Sequence, residues 1–267
     1  MRTISSRHNP VVAAFRALAS TPDPAGRRVL LDGAHLVCEA LDAGLGFETS
    51  LVAASRRAGA TEAGRLAREL EQRGLPLVEA DDRAFDAVSP VRSPSGIAAI
   101  ALRPAVEPAS LCDRSDAFVL VAVDVQDPGN VGALLRSAEA GGATGAFVTG
   151  TSANPFSWKA LRGSMGSALR LPVVAGMTAE AVMNCMAEAG VRMIAAVARD
   201  GDSPEDVDWR GTVGLFVGGE GPGLGGDVIA RCTTRVTIPM ASTVESLNVA
   251  VAAGILIYSA RRQRMTP

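Results

Sequence analysis

The second half of the chain alternates short apolar runs with helical stretches. Six runs have the length and composition of buried strands: AFVLVAVD, GAFVTG, LPVVAG, RMIAAVA, TVGLFVGGE and RVTIPM. Stretches such as VGALLRSAEAGG and AEAVMNCMAEAG separate them with helical spacing. Strands that are apolar throughout are buried on both faces, and crossover helices make such strands parallel. The pattern predicts an α/β domain with a parallel sheet, whose ligand-binding loops follow the carboxyl ends of the strands.

A second domain is predicted before residue 107. The runs RRVLLDG, TSLVAAS, LPLVEA and GIAAIAL alternate there with helical patterns such as AGRLARELEQRG, which is typical of a small α/β domain. The first two dozen residues predict a short helix between Pro10 and Pro22, which forms an arm. The stretch ALRPAVEPASLCDRSD carries two prolines and no periodicity, and it predicts a linker. We therefore divide the chain into residues 1–106, a linker at 107–115 and a domain at 116–267.

Composition excludes several classes of protein. The formal net charge is -2, which argues against a strongly basic nucleic-acid coat. No charge-free apolar run reaches the length of a membrane span, and the N-terminus lacks the apolar core of a secretion signal, so we expect a cytosolic protein without a membrane partner. The four cysteines are far apart and there are only two histidines, which supports neither a disulfide framework nor a metal site.

Arginine supplies nearly all of the basic side chains. Apart from the two histidines, Lys159 is the only basic residue that is not arginine. Planar bidentate donors suit phosphate and base recognition, whereas GC-rich codon usage would produce the same bias. Composition leaves both explanations open.

The first unusual loop is DVQDPGNVGALLR. Asp124 ends a predicted strand, QDPGN turns the chain, and Asn130 is the expected N-cap of the next helix. Gly132 and Arg136 share one face of that helix, and a glycine there permits close approach of a backbone or a ligand. A simple cap followed by a surface arginine would explain the same residues.

The second unusual loop is GGEGPGLGG. A predicted strand leads to Gly218, Gly219 and Glu220, and further glycines follow. We expect the glycines to expose backbone groups to a ligand and Glu220 to accept hydrogen bonds from it. GPGLGG also matches G-x-G-x-x-G, but the dinucleotide fingerprint belongs at the first strand of a βαβ unit, and this loop lies near the end of the chain.

The third unusual loop is IPMASTVESLNVAVAAGILIY. Pro239 fixes one φ angle, and Ser246 and Asn248 precede a helix of small side chains. Ser246 and Asn248 could serve only as helix caps. The small residues also leave space for close approach of a backbone, a ligand or a partner subunit.

Together, the three loops resemble the motifs of the SpoU/TrmH-type RNA ribose 2′-O-methyltransferases of the SPOUT superfamily. The first motif is similar at Asn130, Gly132 and Arg136, the second at GGEGPGL, and the third at IPM and at Ser246-Leu247-Asn248. Order and spacing agree over residues 116–264. The departures are Ser242 and Ala250, at positions often held by glycine and serine.

The N-terminal half resembles, more weakly, the substrate-binding domain that is often fused to this family, a small α/β domain like ribosomal protein L30e. RRVLLDGAHLVCEALDAG is similar to its strand-helix signature, with Asp32 where glutamate is commoner. SRHNPVVAAFRAL resembles the N-terminal arm of members that act on ribosomal RNA and of thiostrepton-resistance enzymes.

The resemblance implies a fold, a cofactor and partners. It implies a parallel-sheet domain with a deep trefoil knot, S-adenosyl-L-methionine held by the three loops, and a homodimer whose active site uses both subunits. The implied substrate is RNA, with ribosomal RNA favoured over transfer RNA, and no metal takes part.

The resemblance also assigns roles to individual residues. The implied catalytic residues are Asn130, Arg136, Glu220, Ser246 and Asn248. The implied cofactor-binding residues are Thr149, Gly218, Gly219, Ile238, Met240, Ser246 and Leu247. Arginine keeps its proton under nearly all conditions, so we expect Arg136 to stabilise the oxyanion that develops from the 2′-hydroxyl rather than to remove its proton, although the family often credits it with activating the hydroxyl.

Other functions remain open at this point. A non-catalytic RNA-binding protein with the same fold would not need the whole polar set of Asn130, Arg136, Glu220, Ser246 and Asn248. A nicotinamide-dependent oxidoreductase depends on GPGLGG alone. The sequence does not name the target nucleotide, and it does not choose between a housekeeping and an antibiotic-resistance role.

Overall fold

The computed structural model describes residues 3–24, 26–91, 94–241 and 244–265. Ser242, one of the departures from the family pattern, lies outside these residues. Up to residue 105 the elements are β1 (Thr3–Ile4), α1 (Pro10–Ser20), β2 (Arg28–Asp32), α2 (Ala34–Asp42), β3 (Gly46–Ala53), α3 (Ala54–Arg57), α4 (Glu62–Gln72), β4 (Leu77–Ala80), α5 (Asp82–Asp86) and β5 (Ile97–Leu102). Beyond it they are a 3-10 helix (Pro108–Leu111), β6 (Phe118–Val123), α6 (Pro128–Ala140), β7 (Gly145–Val148), α7 (Trp158–Ser164), α8 (Ser167–Arg170), β8 (Val173–Ala175), α9 (Ala179–Glu188), β9 (Arg192–Ala196), β10 (Val213–Gly218), α10 (Gly226–Arg231), β11 (Thr234–Val236) and α11 (Val249–Arg264).

The chain forms two compact units that differ from the predicted domains in one segment. The first unit is Met1–Ala105 with Phe156–Leu169, and the second is Val106–Pro155 with Arg170–Pro267. The predicted domain at 116–267 placed residues 156–169 in the second unit. The stretch predicted as a linker contains the 3-10 helix, and its Leu111 and Cys112 are buried in the core of the second unit.

The first unit contains a mixed sheet. Within the described residues its five strands lie in the order β1-β4-β3-β5-β2, and β5 runs antiparallel to both of its neighbours. Strands β2 to β5 coincide with the four predicted runs. Helix α1 begins at Pro10 and ends before Pro22, where a short helix was predicted. The strands β1, β2, β3 and β4 therefore all point the same way, and their carboxyl ends form one edge of the sheet.

Helix α1 closes the core of the first unit over one face of this sheet. Val12, Phe15 and Leu18 follow the helical period and are buried against strand residues such as Leu30 and Ile100. Asn9 caps the helix, because its side chain accepts a hydrogen bond from Val11 N at 2.9 Å.

Residues 156–169 join the first unit through aromatic packing. The Arg103 guanidinium lies 4.0 Å from the centre of the Phe156 ring, and Trp158 packs against the same core as α1. A Cβ atom at Gly26 would lie 2.1 Å from the Phe156 ring, so this position leaves space for no side chain. Helix α7 contacts β2. Sequence periodicity could not reveal that residues 156–169 belong to the first unit, because their placement depends on long-range contacts.

The second unit contains the predicted parallel sheet. Its strands lie in the order β11-β9-β10-β6-β7-β8, and every pairing among the described residues is parallel. All six predicted runs are strands. Because β6 and β10 lie side by side at the centre of the sheet, the loops that follow them begin next to each other. The predicted α/β parallel-sheet fold is confirmed.

One face of the second sheet is covered by α9 and α10, and helices α6 and α11 pack against each other and against the strands β6 and β10. The contact between α6 and α11 is close. A Cβ atom at Gly141 would lie 2.0 Å from Ile257 Cγ2, and one at Gly254 would lie 3.8 Å from Ser137 Oγ. The small side chains of α11 are therefore explained in part by packing within the chain.

The end of α11 is fixed to the segment before β10. Gln263 Oε1 accepts a hydrogen bond from Trp209 N at 3.0 Å, and its Nε2 donates to Val207 O at 2.8 Å. Arg264 Nη1 donates to Trp209 O at 2.6 Å and to Gly211 O at 2.7 Å. Trp209 itself is fully buried and meets the Phe118 ring edge to face. These contacts hold the C-terminal end of α11 against the segment before β10.

Candidate active site

A cavity of about 440 Å³ lies at the carboxyl edge of the second sheet, where the parallel-sheet pattern predicted a ligand site. Its lining comes from the loops after β9, β10 and β11 and from the first turns of α11. The lining residues are mostly apolar side chains and glycines. Among the lining residues, Glu220 and Glu245 are the charged ones, and both are acidic. The cavity therefore suits a ligand that combines apolar surface with positive charge.

Three polar side chains form a chain of hydrogen bonds at the mouth of the cavity. Asn248 Nδ2 donates to Asn130 Oδ1 at 3.0 Å, and Asn130 Nδ2 donates to Glu220 Oε1. Each residue comes from a different one of the three predicted loops. The structure thus joins the three loops through side chains that the sequence had singled out.

Helix α6 begins earlier than predicted. We expected Asn130 to be its N-cap, and this is wrong: the cap is Asp127, whose Oδ1 accepts a hydrogen bond from Asn130 N at 2.9 Å. Pro128 follows at the first helical position, where its fixed φ angle and missing N–H fit the start of a helix. Because Asp127 satisfies the backbone, the Asn130 side chain is free to bind Glu220 and Asn248.

Asn248 combines a cap with a link to the site. It is the N-cap of α11, and its Oδ1 accepts hydrogen bonds from Ala250 N at 2.9 Å and Val251 N at 3.3 Å. Its Nδ2 points the other way, to Asn130. The capping role and the site role that the sequence left open therefore coexist in one amide.

The glycines of the second loop serve contacts between chain segments. A Cβ atom at Gly218 would lie 2.2 Å from Gly223 C, and one at Gly219 would lie 1.9 Å from Asp124 O. Gly219 and Gly223 form an antiparallel bridge, and Gly223 has a φ of +67°. We expected these glycines to expose backbone groups to a ligand. They also let the loop fold tightly against the turn after β6.

Four further residues of the third loop that were predicted to belong to the site line the cavity. Ile238, Met240, Ser246 and Leu247 all contribute to its wall. Sequence reasoning did not identify Glu245 or residues 196–198, which also line it. The position of residues 196–198 at the carboxyl end of the predicted strand RMIAAVA would have been a signal for them.

Three predicted site residues do not line the cavity, although one of them, Asn130, is hydrogen-bonded to two residues that do. Thr149 is buried, and its Oγ1 accepts a hydrogen bond from Asp124 N at 3.3 Å and lies 3.0 Å from Thr151 Oγ1. Thr149 thereby shapes the turn after β6. Arg136 is exposed on α6, and within the described part of the chain it forms no hydrogen bond or ion pair. It lies about 9 Å along the helix axis from Asn130.

The described residues contain no group of three or more histidine, cysteine, aspartate or glutamate side chains that could hold a metal ion. None of the helices in that part of the chain is long and apolar enough to cross a membrane.

The parallel sheet and the cavity at its carboxyl edge define the chain as an α/β enzyme that binds a small ligand beyond its central strands. The model of the SpoU rRNA Methylase family matches residues 117–258, and the chain belongs to this family.

Similar proteins cover nearly the whole chain. An uncharacterized tRNA/rRNA methyltransferase of Synechocystis is 32% identical over 98% of this chain and 94% of its own. The Bacillus subtilis 23S rRNA (guanosine(2553)-2'-O)-methyltransferase RlmP is 30% identical over 98% of this chain and 100% of its own. The crystal structure of an AdoMet-bound rRNA methyltransferase from Sinorhizobium meliloti matches with a TM-score of 0.85 and 26% identity, over 99% of both chains.

Proposed function

We propose that this enzyme transfers a methyl group from S-adenosylmethionine to a ribose 2′-hydroxyl of structured RNA, and that the RNA is ribosomal. The observation that carries the proposal is the hydrogen-bonded chain of Asn248, Asn130 and Glu220 beside the cavity. Binding of RNA alone would not require three polar side chains from separate loops to converge there. The names of the B. subtilis and S. meliloti relatives agree with this reaction and substrate.

The cavity fits S-adenosylmethionine. This cofactor supplies a methyl group on a positively charged sulfonium centre and carries apolar and aromatic surface. The apolar lining with Glu220 and Glu245, and without a basic residue among the described lining, matches that chemistry. The loops around Gly218, Ile238 and Leu247 would hold the cofactor through backbone groups and apolar contacts.

The polar side chains orient the ribose and stabilise charge. Glu220 Oε1 accepts the Asn130 hydrogen bond, and the carboxylate's second oxygen can accept a hydrogen bond from a ribose hydroxyl. Asn248 holds the third loop against this pair through its hydrogen bond to Asn130, and Ser246 lines the cavity beside it. Methyl transfer is an in-line displacement, so alignment of donor and hydroxyl supplies much of the rate enhancement. Arg136 would stabilise the developing oxyanion or orient a neighbouring phosphate.

The position of Arg136 supports a homodimer with shared active sites. The side chain is exposed and does not line the cavity of its own chain, as a residue that serves the cavity of a partner subunit would have to be. Helix α11 also exposes apolar side chains at helical spacing: Val251, Ile255 and Tyr258 are 52%, 41% and 53% exposed. Such a stripe is typical of a contact surface.

Three finer features of the family belong to the same proposal. The C-terminal segment would form a trefoil knot, since the chain leaves the sheet edge at β11 and returns to pack α11 on α6. The first unit would act as an RNA-binding domain like ribosomal protein L30e. Methylation of ribosomal RNA would place the enzyme in the cytoplasm.

Methyl transfer from labelled S-adenosylmethionine to total RNA tests the proposed reaction. We expect label in the ribosomal fraction and not in the transfer RNA fraction. Arg136→Ala should lose methyl transfer and keep cofactor binding in calorimetry, whereas Arg68→Ala, an exposed helical arginine of the first unit, should behave as the parent. Cofactor binding without methyl transfer by the parent would indicate a non-catalytic RNA-binding protein, and binding of NAD instead would indicate an oxidoreductase.

A further inference from the structure

Three neighbouring strands of the first unit end in register. Ile4 of β1 is the partner of Ala80 of β4, and Ala80 is also the partner of Ala53 of β3. All three strands are parallel, and these residues are their last. The chain therefore leaves the sheet at three adjacent points along one edge. Neighbouring strands lie about 4.8 Å apart, so the three points span about 10 Å.

Each of these strand ends is followed by an arginine at the same distance in sequence. Arg7, Arg56 and Arg83 are three residues beyond Ile4, Ala53 and Ala80. All three arginines are exposed, and none forms an ion pair with a described residue. We call these three residues the arginine row.

The two aspartates that follow β4 accept hydrogen bonds from backbone N–H groups and form no ion pair with the arginine row. Asp81 Oδ1 accepts a hydrogen bond from Ala84 N at 2.7 Å, and Asp82 Oδ1 accepts one from Ser55 N at 3.3 Å. By contrast, the adjacent Arg57 pairs with Glu71 at 2.7 Å and with Glu79 at 3.4 Å. The charge of Arg57 is thus compensated by two carboxylates within the fold, whereas the neighbouring Arg56 is exposed to solvent.

The Arg56 side chain is held in place along its stem. A Cβ atom at Gly96 would lie 2.3 Å from Arg56 Cγ, so the stem lies directly over this glycine. Gly96 has a φ of +89°, a conformation that glycine adopts without strain. A long side chain that is partly fixed loses less conformational entropy when its guanidinium binds a ligand.

We propose that the arginine row is the surface through which the first unit binds the phosphate backbone of the substrate RNA. The proposal rests on the proposed function. Unpaired guanidinium groups that follow three strand ends spread over about 10 Å can contact a few successive phosphates of one strand. A protein with a net charge of -2 needs such a local surface to attract RNA. Phosphate contacts fix register and carry no sequence information, so the row positions the RNA without selecting the nucleotide.

Binding to purified 23S ribosomal RNA at several salt concentrations tests the arginine row. The test variant is Arg7→Gln/Arg56→Gln/Arg83→Gln. The control variant, Arg16→Gln/Arg27→Gln/Arg68→Gln, removes the same charge from exposed arginines elsewhere in the first unit. We expect the test variant to bind about tenfold or more weakly and to reduce the slope of log affinity against log salt by about 2 to 3. The control should change both quantities much less.

Two further measurements separate this role from a structural one. Replacing the same three residues with lysine should retain most of the salt slope, because the charge remains. The glutamine variant should raise KM for RNA and leave kcat and cofactor affinity unchanged. Equal behaviour of test and control variants would overturn the arginine row, and so would weaker binding with an unchanged slope. A parent protein that neither binds nor methylates RNA would instead refute the proposed function.

Discussion

Asn248 has two roles, as the cap of α11 and as a member of the chain of hydrogen bonds at the cavity, and substitutions can separate them. Its Oδ1 caps the helix, and its Nδ2 donates to Asn130. Aspartate keeps the acceptor and loses the donor, and it is as good an N-cap as asparagine. Alanine loses both. Comparing Asn248→Asp with the parent therefore isolates the link to Asn130, and comparing Asn248→Ala with Asn248→Asp isolates the cap.

The two variants should differ in stability. Loss of a cap costs about 1 kcal/mol, which corresponds to a fall in Tm of about 2–4 °C for Asn248→Ala. Asn248→Asp should melt close to the parent, because a negative charge at a helix N-terminus is favourable. Thermal unfolding followed by circular dichroism measures both.

The two variants should be similarly impaired in methyl transfer. In Asn248→Asp a carboxylate faces Asn130 Oδ1, and turning the Asn130 amide over would instead place an oxygen against Glu220. One of the two links breaks in either arrangement. A hydrogen bond between neutral groups contributes about 0.5–1.5 kcal/mol, so we expect rates about 2- to 10-fold lower. An Asn248→Asp enzyme that methylates RNA at the parental rate would show that Asn248 is only a cap.

Two other substitutions test the loops and the core. Gly219→Ala places a Cβ atom 1.9 Å from Asp124 O, so it should lower stability by about 1–3 kcal/mol, whereas Gly226→Ala, with nothing within 4 Å of its Cβ, should not lower Tm. Burial raises the pKa of Asp32, which also accepts a hydrogen bond from Ser89 Oγ at 2.8 Å. Because the folded pKa lies above the unfolded one, the carboxylate destabilises the fold at neutral pH, and this cost disappears as pH falls toward the unfolded pKa. Asp32→Asn should therefore raise Tm at neutral pH. This gain in Tm should vanish as the pH approaches the unfolded pKa of aspartate, about 4. A gain in Tm that is the same at both pH values would contradict burial of the carboxylate as its cause.

The strands could be read from the sequence because their signal is local. The six apolar runs of the second half are buried on both faces and became a parallel sheet, and four runs of the first half became β2 to β5. The assignment of residues 156–169 to the first unit could not be predicted in this way. Residues 156–169 carry no composition that distinguishes the first unit from the second, and their place depends on contacts with Gly26 and Arg103.

The errors at the site have similar physical causes. Both Asp127 and Asn130 are good N-caps, and Pro128 decides between them, because proline fits the first helical position. Thr149 follows a strand at the right edge, but its hydroxyl is used by Asp124 N and Thr151. Sequence reasoning identified the loops. It could not tell which of their side chains would accept hydrogen bonds from backbone N–H groups.

The order of the strands explains how loops that are distant in sequence form one site. Asn130 lies 90 residues from Glu220 and 118 residues from Asn248. Because β10 lies beside β6, the loop that carries Glu220 starts next to the turn that carries Asn130, and the missing side chain of Gly219 lets the two backbones touch. Because α11 packs on α6, its first turn lies over the first turn of that helix. The amide of asparagine offers an acceptor on one atom and a donor on another, and Asn248 uses the first for the N-terminus of α11 and the second for Asn130. Asparagine at this position therefore suits a residue that lies between a helix N-terminus and the polar side of a cavity.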